Sequence, residues 1–253
     1  MRFIVIRLKY VIFALITVAA LSAVVLTPHR AITTFLSGGR ELPIYSVERN
    51  DNRIALTFDS AWGADDIESI IDTLSAHNAR ATFFVTGKWA EENSMVLNRL
   101  YRSGFEIGMH SYNHSDYSKM SAAEIKADIE KCAGVIQSVT GSVPCLVRVP
   151  SGAYDDTAIR TVEDSGRMCI QWSVDGLDYV EDADVVSITG RVVSEAGAGD
   201  IILLHTGTKF TASALGGILD ALSGYDFVNV SDLIYKDNFI IDHTGRQLRK
   251  DIY

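Results

Sequence analysis

The sequence has little cysteine and a deficit of positive charge, and each shortage argues against a class of protein. Its three cysteines, Cys132, Cys145 and Cys169, are an odd number and include no Cys-x-x-Cys spacing. A disulfide framework and a cysteine zinc site are therefore not expected, and small buried side chains are. The 23 basic and 32 acidic residues give a formal net charge of -9, which would repel polyphosphate. Nucleic acid is not an expected partner.

Internal repeats, low-complexity tracts and heptads are also missing, whereas apolar residues are abundant. Hydrophobic residues make up 47% of the 253 positions. A chain of this length and composition can bury the core of one domain of roughly 200 residues. We therefore expect one main domain, and nothing in the pattern indicates an oligomeric state.

The amino terminus contains the longest apolar run of the chain. Residues 10–27 are uncharged and follow Arg2, Arg7 and Lys9. A run of about 18 residues is close to the length that crosses a bilayer, and a basic flank favours a cytoplasmic amino terminus. We predict an N-terminal membrane helix within residues 1–30, so that the membrane is a partner and the main domain lies outside the cytoplasm.

Two other interpretations of residues 1–30 stay open. A cleaved signal peptide would make the protein secreted, although no Ala-x-Ala pair stands just past the apolar run. A buried core helix is the third interpretation, and the basic flank argues against it. Beyond this segment we expect a tether and an edge element near Ile44 and Tyr45 in residues 31–52, the main domain in residues 53–236, and a surface C-terminal extension in residues 237–253.

Strands alternate with helices throughout the main domain. The pattern predicts strands at 54–58, 81–86, 105–109, 145–149, 168–174, 200–205 and 227–230. It predicts helices at 65–77, 95–103, 122–140, 156–165, 185–196 and 213–222, and Ser121 with Glu124 makes a capping box before the longest. This alternation is typical of an α/β protein with a parallel sheet, either a barrel or an open sheet.

Polar side chains follow the carboxyl ends of these strands. They are Asp59, His110, His114, Arg148, Asp175, Asp178 and His205. In parallel barrels the catalytic groups collect at this edge from different strands, so their joint placement predicts an active site. The two histidines four residues apart point to a metal ion that polarises a carbonyl or a water.

The order of these motifs resembles the polysaccharide deacetylases of the NodB-homology type, carbohydrate esterase family 4. The motifs are Thr57-Phe-Asp59, His110-Ser-x-x-His114, Arg148-x-Pro-x-Gly152, Trp172-Ser-Val-Asp175-x-x-Asp178 and Leu203-Leu-His205. The resemblance covers about residues 54–233. A first motif of the form Phe-Asp-x-x-Trp-Gly, together with the N-terminal apolar segment, is similar to a sporulation-associated branch of that family.

The resemblance implies a fold and a reaction. The fold is a distorted (β/α) barrel with seven or eight strands. The reaction is the metal-dependent N-deacetylation of an N-acetylated cell-wall or spore-cortex glycan that resembles peptidoglycan. The cofactor is a divalent metal, with zinc as the first expectation and cobalt or nickel as alternatives.

The resemblance also implies roles for individual residues. His110 and His114 would bind the metal, Asp59 would be the general base and His205 the general acid. Arg148 would orient Asp59, and Asp175 would pair with Arg148 and keep it in place. The backbone N–H of Ser151 would help to hold the oxyanion. Four aromatic residues are candidates for stacking on sugar rings, although packing explains such side chains equally well: Trp62, Trp172, Tyr154 and Tyr179.

One position departs from the family pattern. Members with a complete site have a second Asp directly after the base as the third metal ligand, whereas this chain has Ser60. Asp65 or Asp66 would restore the set by folding back, or would be acids in the first turn of a helix. Substrate and water completing the shell is another alternative. The opposing hypothesis is a catalytically degenerate relative that binds glycan or organises wall proteins.

Overall fold

The computed structural model describes residues 40–250. The predicted membrane segment in residues 1–30 and the first part of the predicted tether lie outside the described residues, so both stay predictions. Within residues 40–250 no helix is long and apolar enough to cross a membrane.

A parallel sheet forms the centre of the domain. Its strands are β2 (Arg53–Ser60), β3 (Thr82–Val85), β4 (Glu106–Met109), β5 (Leu146–Val147), β6 (Met168–Cys169), β7 (Val174–Asp175), β8 (Ile201–His205) and β9 (Asp226–Val228). The order is β6-β5-β4-β3-β2-β8-β7, and β9 pairs with the start of β2. Because β6 and β7 end this order without pairing among the described residues, the sheet is an incomplete barrel, which agrees with the predicted distorted (β/α) barrel.

Helices cover the sheet, which explains the continuous apolar runs in its strands. They are α1 (Ile67–Ala76), α2 (Gly87–Glu92), α3 (Ser94–Arg102), α4 (Ala122–Thr140), α5 (Asp156–Asp164), α6 (Val185–Glu195), α7 (Thr211–Ala221) and α8 (Val230–Leu233). Seven of the eight residues of β2 are buried, as in strands covered on both faces. The predicted capping box is confirmed, since Ser121 and Glu124 exchange hydrogen bonds at the start of α4.

The predicted strand at 168–174 is two separate strands. Between β6 and β7, Ile170 forms a bridge with Ile44, and the Gln171 N–H donates to the Ile44 carbonyl at 2.7 Å. The Ser173 N–H then donates to the Ile201 carbonyl, in β8, at 3.0 Å. The chain changes its pairing partner within four residues, which an apolar run in the sequence does not reveal.

The C-terminal region is part of a second, smaller sheet. The strands β1 (Ser46–Val47), β11 (Arg246–Arg249) and β10 (Phe239–Ile241) pair in that order. Gln247 is fully buried, and its side chain bonds the backbone N–H and carbonyl of Tyr235. The region predicted as a surface C-terminal extension, residues 237–253, thus contains two paired strands, which the buried amide and the strand pairing fix to the domain.

Candidate active site

The carboxyl ends of the parallel strands surround a cleft of about 260 Å³. Nine residues line it: Asp59, Trp62, His110, His114, Ser151, Trp172, Tyr179, Leu203 and His205. Eight of the nine, all except Leu203, are predicted site residues. The fold therefore gathers side chains that are up to 146 positions apart in the chain, which is the separation of Asp59 and His205.

Asp59 lies near the end of β2 and is almost completely buried. Its Oδ1 accepts a hydrogen bond from Arg148 Nη1 at 2.7 Å, and its Oδ2 lies 3.4 Å from His110 Nε2. Burial pushes the pKa of Asp59 upward, but the electrostatic effects of His110 and Arg148 outweigh it and hold that pKa below its usual value. Asp59 is thus a carboxylate at neutral pH, in the form that accepts a proton.

Arg148 is fully buried and contacts Asp59 directly, as the predicted orienting role requires. The same Nη1 donates to Thr57 Oγ1 at 2.8 Å, and Nη2 donates to the Gln171 carbonyl at 3.1 Å. The predicted pairing of Asp175 with Arg148 is wrong. Asp175 instead accepts the Leu177 N–H at 2.9 Å, and the hydrogen bonds of the Arg148 guanidinium go to Asp59, Thr57 and Gln171.

His110 is held in one tautomer by the backbone. Its Nδ1 lies 2.9 Å from the Arg148 carbonyl, which can only accept, so Nδ1 carries the proton and Nε2 has a free lone pair. Burial lowers the pKa of His110 to about 4, so the ring is neutral at pH 7. Two acceptor atoms, Nε2 and Asp59 Oδ2, then face each other at 3.4 Å, an arrangement that a cation between or beside them would stabilise.

His114 completes the pair of imidazoles. Its ring centroid lies 4.9 Å from that of His110, and its half-buried position lowers its pKa, which again favours the neutral ligand form. The donor set therefore fits a divalent metal on the nitrogen side, since neutral imidazole is a common ligand of zinc, cobalt and nickel.

The oxygen side of that set is incomplete. Ser60 is fully buried, and its hydroxyl accepts a hydrogen bond from Thr206 Oγ1 at 3.1 Å. Asp66 accepts the Gly207 N–H at 2.9 and 3.0 Å, and neither Asp65 nor Asp66 lines the cleft. No group of three His, Cys, Asp or Glu side chains suited to a metal occurs within residues 40–250. The structure therefore argues against Asp65 or Asp66 as the third metal ligand. The Asp66 carboxylate accepts the Gly207 N–H, and Asp65 lies outside the cleft lining.

His205 stands across the cleft at the end of β8. Its Nδ1 donates to Asp178 Oδ1 at 2.8 Å, and its backbone N–H donates to Asp178 Oδ2 at 2.7 Å. Burial lowers the pKa of His205, but the hydrogen bond and the charge of Asp178 outweigh it and raise that pKa above the usual value. Such a ring retains a proton to donate on its other nitrogen.

Asp178 is the functional residue whose role the sequence analysis missed. It is buried, accepts both bonds from His205, and also accepts the hydroxyl of Thr211 at the start of α7. The spacing Asp175-x-x-Asp178 placed two acids after one strand and did not distinguish them. The only signal in the sequence was that Asp178 lies three residues beyond Asp175. In the structure only Asp178, past the end of β7, reaches His205 at the end of β8.

The aromatic predictions divide into two groups. Trp62 and Tyr179 are 53% and 49% exposed at the cleft, with ring centroids 5.6 and 5.0 Å from that of His205. Trp172 also lines the cleft. Tyr154 is buried in the core, and its hydroxyl lies 2.9 Å from that of Tyr45, so its prediction as a substrate residue is wrong.

Ser151 lines the cleft in an unusual backbone conformation. Its φ of 55° lies in the left-handed region, which residues other than glycine rarely adopt. The residue belongs to a short 3₁₀ turn, Pro150–Gly152, which begins two residues after Arg148, itself the first residue past β5. This position is compatible with the predicted backbone donor, and the donor role itself stays a prediction.

Comparisons with known proteins identify relatives of this chain. The chain is 34% identical over 202 residues to the peptidoglycan-N-acetylglucosamine deacetylase PgdA of Listeria monocytogenes, across 79% of this chain and 42% of the relative. It is 33% identical over 197 residues to a peptidoglycan-N-acetylglucosamine deacetylase of Bacillus cereus, across 75% of this chain and 92% of the relative. The chain thus spans less than half the length of the Listeria relative.

A solved structure has the same architecture. A CE4 family pseudoenzyme from Bacillus anthracis superposes with a TM-score of 0.73 at 29% identity, across 77% of this chain and 69% of that chain. A mutant of that protein, described as having restored enzymatic activity, matches with the same TM-score. Residues 46–170 match the family model for polysaccharide deacetylase. The strand-end site, the shared architecture and these matches place this chain in the polysaccharide deacetylase family.

Proposed function

We propose that the protein removes N-acetyl groups from a cell-wall glycan of the peptidoglycan type in a metal-dependent reaction. One observation carries the proposal: the same cleft contains the Asp59 carboxylate, held by Arg148 at 2.7 Å, and the His205 imidazole, held by Asp178 at 2.8 Å. Hydrolysis of an amide needs both, because a base must activate water and an acid must protonate the departing amine.

Each side chain has a defined task in this proposal. Asp59, oriented by Arg148, accepts a proton from the attacking water, and His205 donates a proton to the amine as the carbon–nitrogen bond breaks. Acetate and a free amine result. His110 and His114 would hold a divalent cation, which when bound polarises the acetyl carbonyl and lowers the pKa of water. Ser151 would offer its backbone N–H to the oxyanion.

The glycan substrate is supported by the relatives and by the aromatic side chains. The two relatives described above are named for action on N-acetylglucosamine in peptidoglycan. The exposed rings of Trp62 and Tyr179 flank His205, and such rings stack on the apolar faces of sugars. A role in modifying spore cortex is a finer proposal that rests on the first motif, Phe58-Asp59-x-x-Trp62-Gly63.

The proposed location is outside the cytoplasm, either anchored by residues 10–27 or secreted after their removal. Sequencing of the mature amino terminus distinguishes the two. A terminus near residue 28 or 30 would reject the anchor, and a terminus at residue 1 would reject the cleaved signal.

A second candidate function is a binder without turnover. The uncharged Ser60 at the third ligand position favours it, because a neutral hydroxyl binds a dication weakly. A pseudoenzyme among the similar structures is consistent with this alternative. The buried Asp59–Arg148 and His205–Asp178 pairs favour the enzyme, because a binder has no need of a base and an acid.

Acetate release decides between the two candidates. The full-length chain, stripped by a chelator and supplied with zinc, cobalt or nickel, is incubated with N-acetylglucosamine oligomers. We expect metal-dependent acetate release that His110→Ala abolishes and His77→Ala leaves intact, since His77 is exposed and bonds Thr73 and Asp220 outside the cleft. Oligomer binding without acetate release under any of the three metals would establish the binder instead.

A further inference from the structure

The loop that presents both imidazoles is held in a backbone shape that its own residues do not favour. It runs from the end of β4 to the 3₁₀ turn Tyr117–Lys119. Ser111 and His114 have φ values of 63° and 58°, in the left-handed region that side-chain-bearing residues rarely occupy. Contacts from outside the loop must therefore stabilise this shape.

One carboxylate provides three of those contacts, beside the backbone N–H groups of Gly87 and Lys88, which donate to the Ser111 and Tyr112 carbonyls. Asp128 lies in α4, and its Oδ1 accepts the Tyr112 N–H at 2.9 Å and the Tyr117 hydroxyl at 2.6 Å. Its Oδ2 accepts the Ser111 hydroxyl at 3.2 Å. The Ser111 Oγ in turn accepts the Ser115 N–H at 3.0 Å. Directly or through Ser111, the carboxylate is thus linked to residues on both sides of His114: Ser111 and Tyr112 before it, and Ser115 and Tyr117 after it.

The donors to Asp128 keep their protons under ordinary conditions. Tyr117 is fully buried, and its burial, followed by the charge of Asp128, raises the pKa of its hydroxyl. The phenol therefore remains a donor at neutral pH. Asp128 itself does not line the cleft, so it has no contact through which it would act on a substrate.

We propose that Asp128 is a positioning residue for the two imidazoles: its three hydrogen bonds hold the loop 110–115 in the shape that binds a cation. The inference deepens the proposed function and rests on the metal site that it includes. Outer partners that fix metal-binding histidines typically contribute 10–100-fold to metal affinity. Asp128 does not bond an imidazole nitrogen; it fixes the conformation of the loop that contains the two histidines.

The test measures zinc affinity and loop order separately in the full-length chain. Zinc affinity is determined by competition with a chromogenic chelator for wild type, Asp128→Ala, Asp128→Asn and Glu130→Gln. Glu130 is the matched control, since it is an acid of the same helix whose carboxylate pairs with Arg167 at 2.8 Å. Amide hydrogen exchange of Tyr112 and Ser115 is measured in the zinc-free proteins.

We expect zinc to bind roughly 10–100-fold more weakly to Asp128→Ala, with an intermediate loss in Asp128→Asn and none in Glu130→Gln. We also expect faster exchange of the Tyr112 and Ser115 amides in the Asp128 variants alone. A purely structural role would lower the melting temperature and leave the zinc affinity of the folded variant unchanged.

Three results would overturn the inference. They are unchanged amide exchange at Tyr112 and Ser115, zinc affinity within twofold of wild type in a folded Asp128→Asn protein, or an equal loss in Glu130→Gln. If Asp128→Ala does not fold, Asp128→Asn and Tyr117→Phe decide by the same measurements. Wild type that binds no zinc would reject the metal part of the proposed function, and the exchange data would still decide whether Asp128 orders the loop.

Discussion

His110 and His205 are two buried histidines of one cleft whose pKa values are shifted in opposite directions. In both rings Nδ1 is hydrogen bonded, at 2.9 and 2.8 Å respectively. The partner of His110 is the Arg148 carbonyl, and burial lowers its pKa to about 4. The partner of His205 is the Asp178 carboxylate, which outweighs burial and raises the pKa. The partner of one nitrogen, rather than burial, decides which ring binds a cation and which donates a proton.

The carboxylates on the two sides of the cleft, Asp59 and Asp178, also differ in their hydrogen-bond partners. Asp59 contacts the buried cation Arg148, which lowers its pKa, so Asp59 is an unprotonated carboxylate at neutral pH. Asp178 faces an imidazole and the Thr211 hydroxyl, so that its charge stabilises a protonated ring. One side of the cleft is thus arranged to accept a proton, and the other side to supply one.

Removal of the base should have the largest effect. Asp59→Asn leaves the shape of the site but removes the proton acceptor beside Arg148. We expect kcat for acetate release to fall by roughly 10²–10⁴-fold. Steady-state assays with N-acetylglucosamine oligomers measure it, with His77→Ala as the control. A loss smaller than about tenfold would contradict the role of Asp59 as base.

Removal of the Asp178 charge would make His205 resemble His110. In Asp178→Asn, burial would dominate and the pKa of His205 would fall. A general acid works only below its pKa, so the alkaline limb of the pH–activity profile should move to lower pH, and activity at pH 7 should drop about tenfold or more.

Asp175→Asn is the matched control for this change, because Asp175 makes no hydrogen bond to either ring and accepts the Leu177 N–H. The alkaline limb of the pH–activity profile of Asp175→Asn should move less toward low pH than that of Asp178→Asn. An identical shift in both variants would mean that general electrostatics, rather than the Nδ1 bond, sets the protonation of His205.

Addition of a carboxylate at position 60 should increase the metal affinity of the site. Ser60→Asp places a second acid beside Asp59, so the metal-free protein should melt at a lower temperature through like-charge repulsion. Zinc should bind about tenfold more tightly, equivalent to about 1.4 kcal/mol. Equilibrium dialysis and thermal melts with and without zinc measure both effects. Unchanged affinity would show that position 60 does not face the cation.

Removal of an aromatic ring at the mouth of the cleft should have the smallest effect. Trp62→Ala removes an exposed ring that flanks His205 but contributes no proton or ligand. We expect KM for N-acetylglucosamine oligomers to rise about 2–10-fold, corresponding to about 0.5–1.5 kcal/mol of stacking, with little change in kcat. An unchanged KM would show that Trp62 does not contact the sugar.

Much of the fold and the site was predictable because the signals are local. The apolar strand before Asp59, the Ser121–Glu124 capping box and the polar residues after each strand depend on neighbouring positions. Parallel strands bring their carboxyl ends to one edge, so eight predicted residues meet in one cleft. The changes of strand partner between β6 and β7 and in the C-terminal sheet were not predictable, since each depends on a distant segment.

The sequence by itself determined which residue types stand at the strand ends, and so the family and the kind of chemistry. The tertiary structure alone decided how they pair: Asp178 rather than Asp175 with His205, Asp66 with Gly207, and Tyr154 with Tyr45. The physical reason is that position along a strand fixes only the edge at which a side chain emerges. The atom that it meets there depends on strand order, which joins Ser60 to Thr206 across 146 positions.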